Sequence, residues 1–135
     1  MPNKTQKNKR IHWSKIILVL FLPILPYSCY NAERNCADFK TGKFKSEITI
    51  NGEKKHTISI RTDSIVIETY EGKTDTASIR WINDCEYVLQ KINPKSRAEK
   101  KAIDIKILTT SKNSYTFEFG VVGSPDKQKG VAYKL

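Results

Sequence analysis

The stretch "GKFKSEITINGEKKHTISIRT", Gly42 to Thr62, decides the fold class. In its first half Phe44, Ile48 and Ile50 share one parity, while Lys43, Lys45 and Glu47 share the other. Successive side chains of a strand point to opposite faces, so this alternation marks a strand with one face covered. Asn51-Gly52 supplies the positive-φ positions of a tight hairpin turn. Beyond the turn, "HTISIRT" places Ile58 and Ile60 on a common parity. Alternating runs joined by so short a turn are antiparallel neighbours, because parallel strands need long crossovers and read as continuous apolar runs.

The pattern continues downstream. "DSIVIETY" aligns Ile65 with Ile67, and "ASIRWINDCEYVLQ" aligns Ile79, Trp81, Cys85, Tyr87 and Leu89. "KAIDIKIL" aligns Ile103, Ile105 and Ile107; "SYTFEFGVV" aligns Tyr115, Phe117, Phe119 and Val121; "GVAYKL" aligns Val131, Tyr133 and Leu135. Turn chemistry separates the runs at Thr62-Asp63, Glu71-Gly72, Asn83-Asp84 and Lys112-Asn113, with a longer loop from Gly123 to Gly130. Only "NPKSRAEKKA", Asn93 to Ala102, favours a helix, and Pro94 near its start predicts a short one over 94–101. The sum is an all-β chain of about eight antiparallel strands in meander order. Repeated hairpins of this kind close into a small lipocalin- or calycin-like barrel, with a two-sheet sandwich as the alternative. Residues 41–135 are the expected barrel domain, with 29–40 as a stalk leading into it.

The first 28 residues differ from the rest. Lys4, Lys7, Lys9, Arg10 and Lys15 occur without an acidic residue, and the apolar run "IILVLFLPIL" follows, Ile16 to Leu25. A basic segment, a short greasy run and a small residue just after it compose an export signal. A spanning helix needs roughly 20 apolar residues, so the run is short for a permanent anchor, although a proline-kinked anchor that borrows Ile11 and Trp13 is the competing reading. The formal net charge is +10 over the whole chain. Five of the 24 basic groups lie in this segment, which leaves 19 against 14 acidic groups, a mature charge of +5.

Export places thiols in an oxidising compartment, where three cysteines leave one to explain. Cys29 follows Ser28 at the end of the greasy run, the position at which a bacterial lipoprotein signal places the cysteine that receives lipid. Pro26 and Tyr27 depart from the usual lipobox, and ordinary cleavage lacks an A-x-A-like site. With Cys29 lipidated, Cys36 and Cys85 remain as a pair for a disulfide. A zinc site would need four ligands at tight spacing, and the mature chain has one histidine, His56, and no C-x-x-C. No metal or cofactor is expected.

Catalytic motifs are absent: there is no G-x-S-x-G, no H-E-x-x-H and no phosphate-cradling glycine loop. His56 reads as a turn-flanking surface residue, with a general base at the barrel rim as the alternative. Asp84 and Glu86 flank Cys85 on the parity of Arg80 and Gln90, which reads as a solvated face. Lys95, Arg97, Lys100 and Lys101 form one basic cluster, and Lys127 and Lys129 another. Binding to single-stranded nucleic acid would pair such clusters with exposed aromatics. Phe44, Trp81, Tyr87, Tyr115, Phe117, Phe119 and Tyr133 instead take the parity expected to be buried, so no nucleic-acid partner is expected. With Ser46 as the one small residue on that parity, the interior is expected to be filled by side chains.

The segments "SCYNAERNCADFKTGKF", "IRWINDCEYVLQKINPKS" and "IKILTTSKNSYTFEFG" resemble a group of small exported proteins of flavobacteria and their relatives. The resemblance covers nearly all of the mature chain. It implies a lipidated Cys29 and a bridge between Cys36 and Cys85, since members share cysteines at the matching places, and it carries over no catalytic residue. Members often bear the label "DNA topoisomerase IV", an activity that requires an ATPase domain and a positioned tyrosine that nothing here supplies. Tyr30, Asn31, Ala32, Glu33 and Arg34 after Cys29 are too poor in acid for the surface-export signal some of this lineage use, which points to a periplasm-facing outer-membrane lipoprotein. The expected role is therefore non-enzymatic: a lipid-anchored envelope protein with structural or interaction duties, or a carrier of a small apolar ligand inside the barrel.

The anchor is tested directly. Cys29→Ala should release the protein into the soluble periplasm or leave it as unprocessed precursor, whereas the wild type partitions with detergent. Mass spectrometry should find acyl chains on an N-terminal cysteine; an intact Met1 in the mature protein would overturn the lipoprotein reading.

Overall fold

The computed structural model describes residues 34–135. Its strands are β1 (Gly42–Ile50), β2 (Glu53–Arg61), β3 (Ile65–Tyr70), β4 (Lys73–Asn83), β5 (Glu86–Lys91), β6 (Ile103–Thr110), β7 (Ser114–Val121) and β8 (Gln128–Lys134). Each pairs antiparallel with the next, and β1 pairs with β8, so the meander closes into the expected barrel. The hairpin at Asn51-Gly52 forms as read, with φ of 51° and 81° at the two residues, and Glu71-Gly72 repeats it at 47° and 75°. Bulges in β4 between Trp81 and Asn83 and in β6 between Ile107 and Thr109 shift the register at the same end of the barrel.

The interior is built from Phe44, Ile79, Tyr87, Leu89, Ile105, Ile107, Tyr115 and Phe117, all buried and all on the expected parity. Three strands face the other way from the sequence reading. On β2 the buried residues are Ser59 and Arg61, while Ile60 is 51% exposed. On β3 Val66 is buried and Ile65 and Ile67 are exposed. On β8 Ala132 is buried, and Tyr133 and Leu135 are exposed.

The cause is register. The two-residue turn sets Ile50 opposite Glu53, so Phe44 stands opposite Ser59 and Ser46 opposite Thr57. Directly opposed residues share a face, so an inward Phe44 carries Ser59 inward and Ile58 and Ile60 outward. The shift propagates: Arg61 opposes Val66 and Ser59 opposes Glu68, which turns Ile65 and Ile67 out. On β8 the inward positions are Gly130 and Ala132, opposite Phe117 and Tyr115. Small residues there make room for the rings. A Cβ on Gly130 would lie 2.7 Å from both Ile48 Cγ2 and Phe117 Cζ and 2.8 Å from the Glu47 carbonyl oxygen.

One end of the barrel is plugged. A 3₁₀ turn, Ala37–Phe39, seats Phe39 among Phe44 and Tyr115, with ring centroids 6.5 and 5.2 Å away. The Asn35 backbone N–H donates to Thr110 Oγ1 at 2.9 Å, and Lys134 Nζ donates to the Asp38 carbonyl at 2.6 Å. Cys36 and Cys85 form a disulfide with their Cα atoms 5.1 Å apart. Of the residues expected to form the end of a stalk, Cys36 and Phe39 are thus part of the core, and they hold the segment between them against it. The signal segment 1–28, Cys29 and the rest of the stalk before Arg34 lie outside the described residues.

The short helix expected over 94–101 is a run of turns. The Lys100 N–H reaches the Ser96 carbonyl at 3.2 Å and the Lys101 N–H the Ala98 carbonyl at 3.2 Å, with no further propagation. Asn93 sits at φ 57°, and Ala102 already accepts from the Val122 N–H at 3.0 Å, so the helix-capable residues between them are too few to repay nucleation.

Closing a loop of 49 residues with a disulfide is worth about 4 kcal/mol in the chain-entropy model. Reduction, or Cys36→Ser, should therefore lower the melting temperature by roughly 15 °C or more for a domain of this size. Calorimetry under oxidising and reducing conditions checks it.

Candidate functional site

Pointing β2 and β3 inward with their polar parity places hydroxyls and charges where a filled apolar core was expected. The barrel holds a cavity of ≈270 Å³. Its polar wall is Ser46 of β1, Thr57, Ser59 and Arg61 of β2 and Glu68 of β3, together with Tyr87 and Tyr115. Its apolar wall comes from β1 and β5–β7: Ile48, Leu89, Ile103, Ile105, Phe117 and Phe119. The expectation of a packed interior is corrected on this point, and the reason is again register, which traded Ile58, Ile60 and Ile67 for Thr57, Ser59, Arg61 and Glu68.

Arg61 forms the floor, next to the plug. It is 6% exposed and donates from one terminal nitrogen to the Phe39 carbonyl at 3.0 Å and from the other to the Tyr115 hydroxyl at 2.9 Å. Its guanidinium lies 4.6 Å from the Phe44 ring centroid and 4.9 Å from that of Tyr87, distances at which ring faces stabilise a cation. Its Nε–H is buried without a partner. Trp81 Nε1 is likewise unpartnered, but it does not line the cavity.

Glu68 is the second charge-bearing group. It stands opposite Ser59 and diagonal to Arg61 on the inner face, so the tips of the two side chains can reach one small group. Burial raises its pKa above the ordinary carboxylate value, against the attraction of Arg61, and Asp75 pushes the same way as burial. Burial holds the Tyr87 phenol well above its usual value, so it stays a neutral hydrogen-bonding group.

A second cavity of ≈380 Å³ shares Glu68, Leu89 and Ile103 with the first and extends to the rim opposite the plug. There Lys91 Nζ bridges Asp75 and Glu99 at 3.1 Å each, and Gln90 Nε2 donates to the Lys100 carbonyl at 3.0 Å. These contacts tie the 93–102 turns to β4 and β5 beside the opening. The rim is therefore a bonded frame, and the interior behind it is polar on one side and greasy on the other.

The other residues singled out from sequence do not converge. His56 is on the outer face, its Nδ1 3.4 Å from Glu47 Oε1. Asp84 pairs with Lys40 at 2.6 Å and Glu86 accepts from Asn83 at 3.4 Å, both at the plugged end. Among the described residues no group of three His, Cys, Asp or Glu side chains is placed to hold a metal ion. Lys127 of the second basic cluster is bound to Asp104 at 2.5 Å. Of the seven aromatics expected inside, Tyr133 is the one that is exposed. Arg61, Glu68, Ser59 and Thr57 went unremarked in the sequence, although the turn register pointed to them. In comparisons with known proteins, no family model, no curated protein and no solved structure matches this chain.

Glu68 makes a signed prediction. A carboxyl with a raised folded-state pKa binds its proton more tightly in the native than in the unfolded chain, so stability falls as pH rises from the unfolded value through the folded one. Glu68→Gln removes that loss. Its melting temperature should match wild type near about pH 4 and exceed it near about pH 8, as read by thermal denaturation at both values.

Proposed function

We propose that this chain is a lipid-anchored envelope protein that binds a small amphiphilic molecule inside its barrel, without catalysis. The observation that carries this reading is a cavity inside the barrel with a polar and an apolar wall, the buried Arg61 on its polar side. Two of the five guanidinium N–H groups are hydrogen-bonded, which leaves a buried cation with donors to spare for a ligand. The lipid anchor rests on the export-like segment, on Cys29 and on the resemblance to small exported lipoproteins. The mixed lining shifts the ligand from purely apolar, as expected from sequence, to amphiphilic.

A second reading, an interaction role with another envelope protein, draws on the outer surface. Ile60 and Ile67 are directly paired across β2 and β3 and are 51% and 42% exposed, with Ile65 exposed beside them. Lys43 flanks this apolar face on β1, opposite Ile60.

Native mass spectrometry of protein released gently from membranes tests the proposal. Wild type should carry a small molecule lost on denaturation, and Ser59→Phe, which fills the polar wall, should carry none. Wild type without any bound molecule, and indifferent to the Phe substitution in ligand screening, would overturn it.

A further inference from the structure

The two charged groups of the cavity differ in one chemical respect that identifies the ligand. Arg61 cannot shed its charge, because a guanidinium does not deprotonate in a protein. Glu68 can, by taking up a proton. A ligand bearing a cation would sit beside an Arg61 charge that nothing can remove. A ligand bearing an anion meets Arg61 directly, and protonation turns Glu68 from a repelling group into an O–H donor.

The bonding around Arg61 points the same way. Each terminal nitrogen donates one bond to a neutral oxygen, the Phe39 carbonyl and the Tyr115 hydroxyl, and among the described residues no carboxylate touches it, Glu68 attracting it from farther off. A buried cation without an anion in contact is costly, and a charge-assisted bond is the strongest remedy. Two of the five guanidinium N–H groups make those bonds, so three remain, and Arg61 lines the cavity. Among the described residues the carboxylate of Glu68, diagonal to Arg61 across β2 and β3, makes no hydrogen bond and no contact ion pair. Asp75 stands opposite it on β4, Tyr87 of β5 and Tyr115 of β7 share its cavity, and Lys91, Glu99 and Lys101 line the adjoining space toward the rim.

The remaining wall sets the rest of the ligand. Ile48, Leu89, Ile103, Ile105, Phe117 and Phe119 offer no polar side-chain atom, so a compact inorganic anion would leave most of the space unmatched. At about 30 Å³ per water-sized group, ≈270 Å³ takes roughly nine such groups. Resting on the reading of the barrel interior as a ligand site, we propose that the ligand is a monocarboxylate with an apolar chain of about eight carbons, its carboxylate between the Arg61 guanidinium and Glu68. The chain runs along the isoleucine and phenylalanine wall toward the open rim.

Titration calorimetry of the delipidated barrel with octanoate, 1-octanol and octylammonium tests this in the protein as it folds, without mutation. One hydrogen bond to a charged group corresponds to about a tenfold difference in affinity, so octanoate should bind at least tenfold more tightly than 1-octanol, and octylammonium least of all. Glu68→Gln should keep or tighten octanoate binding, because it removes the repelling charge and leaves a hydrogen-bond donor. Arg61→Met should erase the preference for octanoate over 1-octanol; should that variant fail to fold, the ligand series and Glu68→Gln decide alone. Equal binding of octanoate and 1-octanol would overturn the carboxylate while leaving the barrel a binding protein. Weaker octanoate binding in Glu68→Gln would overturn the seat between the two groups. Tight octylammonium binding, or no binding of any of the three by protein that carries a natural small molecule, would assign the cavity to another class of ligand. No binding together with no natural cargo would remove the ligand site itself.

Discussion

The register imposed by the two-residue turn at Asn51-Gly52 is the constraint from which the interior follows. It sets Phe44 opposite Ser59, and the requirement that opposed residues share a face then fixes β2 and, through it, β3. Burying Phe44 costs the chain the burial of Ile60 and Ile67. That exchange runs against hydrophobicity on two strands, and the space those isoleucines would have filled is the cavity of ≈270 Å³. The large rings of β1, β5 and β7 close its floor.

Arg61 links this interior to the plug. Its hydrogen bond to the Phe39 carbonyl makes the plug part of the cavity floor, while Phe39 packs on the rings that also hold the guanidinium. The Cys36–Cys85 bridge fastens the same segment from the side, one residue before the 3₁₀ turn. Removing the bridge therefore acts on the floor of the cavity as well as on the unfolded chain. Stability and the shape of the cavity floor are coupled at this end.

Much of the architecture was legible. Alternation and turn chemistry specified the strands, their antiparallel order and closure, because these signals are local and repeat in every hairpin. The Cys36–Cys85 pairing was legible by elimination. The facing of β2, β3 and β8 was misread because hydrophobicity was taken strand by strand. Counting back from Asn51-Gly52 would have placed Ser59 and Arg61 inside, since register outranks the apolar parity of a single strand. On β8 the clue was volume: Gly130 and Ala132 are the small partners that Phe117 and Tyr115 need. The 94–101 segment carries helix-favouring residues without the length to nucleate a helix, a limit that composition does not reveal. The cavity followed from these facings, so it was hidden by the same error.

The closure of the barrel has a kinetic consequence. Seven of the eight strand pairings join neighbours in sequence, each closing a short loop at small entropic cost. The eighth joins β1 to β8, setting Phe44 opposite Lys134 across nearly the whole domain. Such a contact is the slowest to form, because its loop entropy is recovered only once the intervening hairpins are in place. Gly130 sits on this seam opposite Ile48, where a methyl group has no room. The seam between the first and last strands is thus the gate of the folding reaction, and a chain emerging without its final strand would be an open sheet with two unprotected edges.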